Sequence, residues 1–218
     1  MPVRIPEVAA GHVRLATLLT GLTDAAARAD SALPGWSRGH VLTHLAELAR
    51  ALTRQVEHAL DGKLVDMYDG GQDGRAAAIA KGAGRPARDL ADDVVRSAQE
   101  LETAWSAVGP ADWRRPVAYR DGALVDIVLA RWREVEIHSA DLLLGPVTWS
   151  AEFSGYLIGF LATRVPPGTS LVLPGRVVGT GRPVRVTGEL ADVAAWLAGR
   201  SYAGDVSCGE EVRLGPWP

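Results

Sequence analysis

Ser37-Arg38-Gly39-His40-Val41-Leu42-Thr43-His44-Leu45-Ala46-Glu47-Leu48 is the stretch whose pattern sets the architecture. Ser37 is a favourable N-cap, because its hydroxyl accepts from a first-turn N–H that has no partner within the helix. Val41, Leu45, Leu48, Leu52, Val56 and Leu60 then recur at helical spacing, predicting a long amphipathic helix that ends near Asp61-Gly62. One apolar stripe of that length needs other helices to bury it. Upstream, Pro6 to about Arg28 carries Val8, Leu15, Leu18, Leu19 and Leu22 at the same period. Downstream, a third helix is expected from near Pro86 to about Val108, through Leu90, Val94, Leu101 and Trp105. A fourth covers about Val125 to Leu144 and stops at Gly145-Pro146. Residues 63–85 are glycine-rich without sustained periodicity and read mostly as loop, with a short helical turn at Ala76–Lys81. Trp113 to Val125 reads as a short hairpin turning at Asp121-Gly122. Four helices with one long connection make a bundle.

After Pro146 the character changes. A helix near Ala151–Thr163, β-prone stretches at Ser170–Leu173 and Val184–Thr187, and a helix at Leu190–Ala198 predict a small α+β domain. The expected fold is mostly α, with a four-helix bundle over 1–147 and the α+β domain over 148–218.

The 218 residues are 47% hydrophobic and 22% charged, ordinary for a soluble globular protein. A net charge of −3 gives no electrostatic reason to expect nucleic acid or an anionic membrane as partner. No apolar run approaches the ~20 residues that span a bilayer. Pro2, Arg4, Pro6 and Glu7 interrupt the stretch where a signal peptide would need continuous apolar residues. The single cysteine, Cys208, excludes an internal disulfide, so a reducing cytoplasm is the simplest expectation. The pattern leaves the oligomeric state open.

Glu134 and His138 lie four apart on the fourth helix, so their side chains stack on one face and can share a cation. His44, beside the apolar stripe of the second helix, offers a third ligand. Two nitrogens, one oxygen and a vacant fourth position compose the usual catalytic zinc site. The alternatives are a hydrogen-bonded core histidine at 44 and an ion pair between Glu134 and Arg131. His40, four before His44, makes a His-x3-His pair geometrically available as well. Asp141, three after His138, is placed either to accept that ring's free N–H or to be a solvated or capping residue. No phosphate loop, dinucleotide fingerprint or nucleophile elbow is present.

Gly35-Trp36-Ser37-Arg38-Gly39-His40-Val41-Leu42-Thr43-His44-Leu45-Ala46 resembles the signature of the mycothiol-dependent maleylpyruvate isomerase family. Arg133-Glu134-Val135-Glu136-Ile137-His138-Ser139-Ala140-Asp141-Leu142 resembles that family's Arg-Glu-x3-His-x2-Asp-Leu helix. Met67-Tyr68 with Arg75 and Ile79 resembles its loop after the second helix, and Val186–Ala191 through Leu197–Arg200 resembles the end of its C-terminal domain. The resemblance implies a DinB-like bundle binding a divalent metal, typically zinc, through His44, Glu134 and His138. It implies mycothiol as a low-molecular-weight thiol cosubstrate and a small-molecule substrate, with Arg200 as a functional arginine. A substrate carboxylate would suit the Arg200 guanidinium, and Arg75 is a second candidate for that task. Thiolate addition to the cis double bond of maleylpyruvate, rotation and elimination would give fumarylpyruvate. Two rivals remain: a mycothiol S-transferase that keeps the adduct, and a non-catalytic binding or regulatory protein built on the same bundle.

Overall fold

The computed structural model describes residues 3–218. They form two compact units, the first ending at Pro146 and the second running from Val147 to Pro218. In the first, helices α1 (Ile5–Leu18), α2 (Asp24–Arg28), α3 (Arg38–Leu60), α4 (Gly71–Gly82), α5 (Ala87–Ser106) and α6 (Leu124–Asp141) follow one another. The long helix α3 packs along α5 and α6, and α1 packs along the same two, closing a four-helix ring. Leu15, Leu42, Leu45, Leu90, Val94, Val135 and Leu142 meet in its core. Full burial of each such leucine contributes about 1.5–3 kcal/mol.

The start of α3 is set by a reciprocal cap. The Ser37 hydroxyl accepts from the His40 N–H, and His40 Nδ1 accepts from the Ser37 N–H at 3.1 Å. That use of its ring commits His40 to the cap, and a His40–His44 pair of metal ligands is not what the structure assembles. The expected first helix is divided in two, because Gly21 takes a left-handed φ of 75° and Thr23 then caps α2.

Helix α4 contains the helical turn expected at Ala76–Lys81 and extends it back to Gly71, into glycine-rich sequence that reads as loop. Only Ile79 is buried on α4, so no apolar stripe exists for a periodicity reading to detect. The helix is held by close packing: a Cβ on Gly39 would lie 2.1 Å from the Ala83 carbonyl oxygen, and one on Gly82 would lie 2.5 Å from Thr43 Cγ2. The expected hairpin at 113–125 is also replaced, by single 3-10 turns at Asp112–Arg114 and Tyr119–Asp121 with one bridged pair, Pro116–Ala123. Positive φ falls on Arg120 and Asp121, not on Gly122. The loop's bonds go elsewhere: Gln55 of α3 accepts from the Ala118 N–H at 3.1 Å, and Asp126 accepts from Ala123 N–H at 2.8 Å, starting α6.

Beneath the core surface, Arg131 ties the bundle together. Its Nε donates to His12 Nε2 at 3.0 Å and its Nη1 donates to the Leu45 carbonyl at 2.7 Å. Since Nε2 must accept, the His12 proton sits on Nδ1 and is donated to Glu102 at 2.6 Å. One chain of polar contacts thus joins α1, α5, α6 and α3. Burial, then the Arg131 charge, pushes the His12 imidazole down to about 3. An unfolded chain would hold that histidine near 6.5. Between those values the unfolded state binds the extra proton and the folded state refuses it, so stability is lost as pH falls from about 6.5 toward 3. Urea titrations across that range are expected to show this decline. His12→Gln, which cannot titrate, should flatten it.

The second unit begins with α7 (Ala151–Phe160), capped by Ser150. Strands β1 (Gly168–Leu173), β2 (Arg176–Gly179), β3 (Gly181–Thr187) and β4 (Ser207–Cys208) form a sheet of order β2-β1-β3-β4, with α8 (Leu190–Ala198) between β3 and β4. β1 pairs antiparallel with β2 and parallel with β3. The chain passes from one side of β1 to the other through Thr180 alone. Gly181 permits this: its φ is 124°, and a Cβ there would come 2.2 Å from the Gly168 backbone. Among the described residues, no helix is long and apolar enough to cross a membrane.

Candidate metal centre

The triad comes from two helices. His44 sits on the second turn of α3, beside the core residues Val41 and Leu45. Glu134 and His138 occupy successive turns of α6, flanked by the buried Val135 and, just past the helix end, Leu142. α3 and α6 pack directly, and the Arg131–Leu45 bond crosses between them next to His44 and one turn before Glu134. Arg131 therefore serves the helix junction and makes no hydrogen bond to Glu134, although the Glu134 charge acts on its guanidinium.

His44 Nε2 lies 2.8 Å from Glu134 Oε2, and His138 Nε2 lies 3.1 Å from the same oxygen. One donor atom from each residue falls within 4.8 Å of the others. Ligands on a tetrahedral zinc ion with bonds of ~2.0–2.1 Å stand roughly 3.3 Å apart. The three side chains need only small movements to reach that spacing, so the donor set fits a divalent ion. The Glu134 side chain is 32% exposed while His44 is buried, leaving the carboxylate side open to a fourth ligand.

Charges are arranged to suit a cation. Burial would raise Glu134, but hydrogen bonds to His138 and His44 hold its carboxyl well below the usual range. Burial likewise would lower His138, but Asp141 and Glu134 raise its imidazole to about 9. His138 Nδ1 is 2.8 Å from Asp141 Oδ2, and Asp141 is fully buried. This carboxylate accepts the Nδ1 proton and aims Nε2 at Glu134, the arrangement that orients a ligating histidine. His44 differs: burial pushes it down, and its Nδ1 faces the Arg75 Nη2 at 3.1 Å.

Arg75, on α4, also lies over the Tyr68 ring at 5.9 Å. Tyr68 was visible in the sequence only as part of the loop motif. Trp36 sets its ring edge-on to His44 at 5.8 Å and stacks on His40 at 6.1 Å, so it shapes the site besides packing ahead of the cap. Tyr119, whose hydroxyl accepts from Arg133 at 3.2 Å, stands on the strained turn. In the sequence Tyr119 stands only within the expected hairpin, with nothing to mark it as a site residue. Arg200 belongs to the second unit. It follows Gly199, the left-handed residue ending α8, donates to the Ala198 carbonyl at 3.2 Å and lies over the Trp217 ring at 5.7 Å. Arg164 lies over the same ring at 5.6 Å.

Comparison with known proteins follows the same lines. Residues 8–143 match the model of the mycothiol maleylpyruvate isomerase N-terminal domain. A crystal structure of the mycothiol-dependent maleylpyruvate isomerase superposes with a TM-score of 0.88 at 24% identity, covering 100% of this chain and 98% of the other. A histidine-to-alanine mutant of that isomerase gives 0.87 at 24% identity over the same shares. At that identity the likeness speaks for the fold. Comparison with curated proteins gives no match.

Proposed function

Because the chain belongs to the mycothiol maleylpyruvate isomerase family, an enzyme family, we propose that it isomerises maleylpyruvate with mycothiol as thiol cosubstrate. His44, Glu134 and His138 would hold the divalent ion this requires, zinc foremost. The observation that carries the reading is the convergence of these three donors within 4.8 Å on an open carboxylate face. A divalent ion held there would supply Lewis acidity, lowering the pKa of a coordinated thiol from its ordinary ~8.5.

The chain's own residues do the rest. Asp141 fixes the His138 ring so that Nε2 points at the shared site. Glu134 is kept ionised and so brings negative charge to the cation. Trp36 walls the site beside the buried His44 and restricts water on that side. Arg75 and Arg200 are proposed to bind substrate carboxylates, for which a guanidinium offers two parallel hydrogen bonds.

Purified protein assayed with mycothiol is expected to convert maleylpyruvate to its trans isomer and to lose that activity after chelation. Accumulation of a stable thiol adduct would favour the S-transferase instead, and no stoichiometric metal in native protein would defeat the reading. Arg200→Ala is expected to lower turnover by about tenfold or more, the loss typical of one charge-assisted contact, while metal content stays at the wild-type level. Metal analysis beside kinetics checks it, and loss of metal would place Arg200 in a different role.

A further inference from the structure

We propose that Arg75 is a latch on His44: it holds the imidazole in the wrong tautomer for a cation, and metal binding releases its guanidinium toward an anionic substrate. This rests on the metal reading above and extends it to the order in which the site assembles.

A guanidinium only donates. The 3.1 Å contact between Arg75 Nη2 and His44 Nδ1 therefore makes Nδ1 the acceptor and leaves the ring's single proton on Nε2. Nε2 donates that proton to Glu134 Oε2 at 2.8 Å. Yet Nε2 is the nitrogen that faces Glu134 and its partner His138. To give that nitrogen's lone pair to a cation, neutral His44 must carry its proton on Nδ1 instead. The proton leaves one ring nitrogen and returns to the other through solvent, with no net release. An Nδ1–H then meets the Arg75 N–H donor head-on, and the contact turns from bond to repulsion. His138 shows the contrast within the same site, since its Nδ1 faces the acceptor Asp141. A ligating histidine ordinarily donates through its second nitrogen. His44 instead faces a donor.

Arg75 has somewhere to go. The Tyr68 ring lies 5.9 Å from its guanidinium carbon, so release from His44 leaves the charge over an aromatic face. Helix α4 need not move, since its C-terminal end is seated on α3 through Gly82 against Thr43. Once free, the guanidinium is an anion site that exists fully only in the loaded protein. By reciprocity, an anion on Arg75 must then tighten metal binding by the same factor.

Imidazole 1H–15N NMR of metal-free protein is expected to show His44 protonated only on Nε2, and Arg75→Met is expected to let the Nδ1–H tautomer appear. Zinc titrations against a competing chelator are expected to show Arg75→Met binding about tenfold more tightly than wild type, the scale of one charge-assisted hydrogen bond. A metal-free His44 already protonated on Nδ1, or equal or weaker zinc binding by Arg75→Met, would overturn the latch while leaving the metal site standing. Failure of the wild-type protein to bind zinc at all would remove both.

Discussion

His44→Ala is expected to cost more than a hundredfold in zinc affinity and to take thiol-dependent turnover down with it. The variant leaves Glu134 and His138 alone on α6, two ligands from one helix, with a space where the α3 imidazole stood. Loss of a group that merely orients a ligand costs 10–100-fold, and loss of the ligand should exceed that. Elemental analysis and turnover measured on the same preparation check the outcome, with circular dichroism to establish that the bundle persists. Full metal content together with wild-type turnover would show that the three side chains meet for some other reason. Because His44 Nε2 also donates to Glu134, the variant should in addition leave that carboxylate with His138 as its remaining imidazole partner.

Arg131→Ala should produce the largest loss of stability, about 3–5 kcal/mol, against a total of about 5–15 kcal/mol for a domain of this kind. Arg131 is fully buried, and burial pulls its guanidinium down to about 10, so it remains charged at neutral pH. Truncation leaves the Leu45 carbonyl and His12 Nε2 without their donor and opens a cavity in the core. Urea denaturation of the variant measures this directly. A loss below about 1 kcal/mol would show that water replaces the guanidinium and that the junction beside the metal centre is held by packing alone. Arg131 makes no hydrogen bond to any of the three donors, so the variant reaches the centre only through the charge it removes near Glu134.

What could be read from the sequence was what is local. Ser37 caps α3 and Leu190–Ala198 is helical because each depends on neighbours within four residues. Glu134 and His138 were legible together for the same reason, being one turn apart on a strongly patterned helix. His44 was placed by its motif and by its position beside the apolar stripe. What escaped depends on distant partners. α4 buries one side chain, so its helicity follows from alanine content and from seating against α3 rather than from any stripe. The loop leading into the turn at Tyr119–Asp121 is anchored by Gln55, more than sixty residues away in the chain. β2 and β4 are too short to show alternation, and each is fixed by the strand it pairs with. His12 has no acidic or basic neighbour at useful spacing in sequence, yet Glu102 and Arg131 reach it from two other helices. Trp36 and Arg75 were recognised as motif residues, but which nitrogen of which histidine they face is a three-dimensional fact.

The missing methyl group at Gly39 has a reach beyond the two helices it brings together. With the Ala83 carbonyl oxygen only 2.1 Å from where a Cβ would stand, the spacing of α3 and α4 is a ruler cut at its zero mark. Every side chain that α4 presents toward the imidazole inherits its offset from that mark. Alanine at 39 would push the ruler outward and lengthen the arginine's path to the histidine before any chemical group in the centre had changed. A substitution at this seam therefore acts on the histidine contact from a distance, because less than one carbon atom of slack remains there.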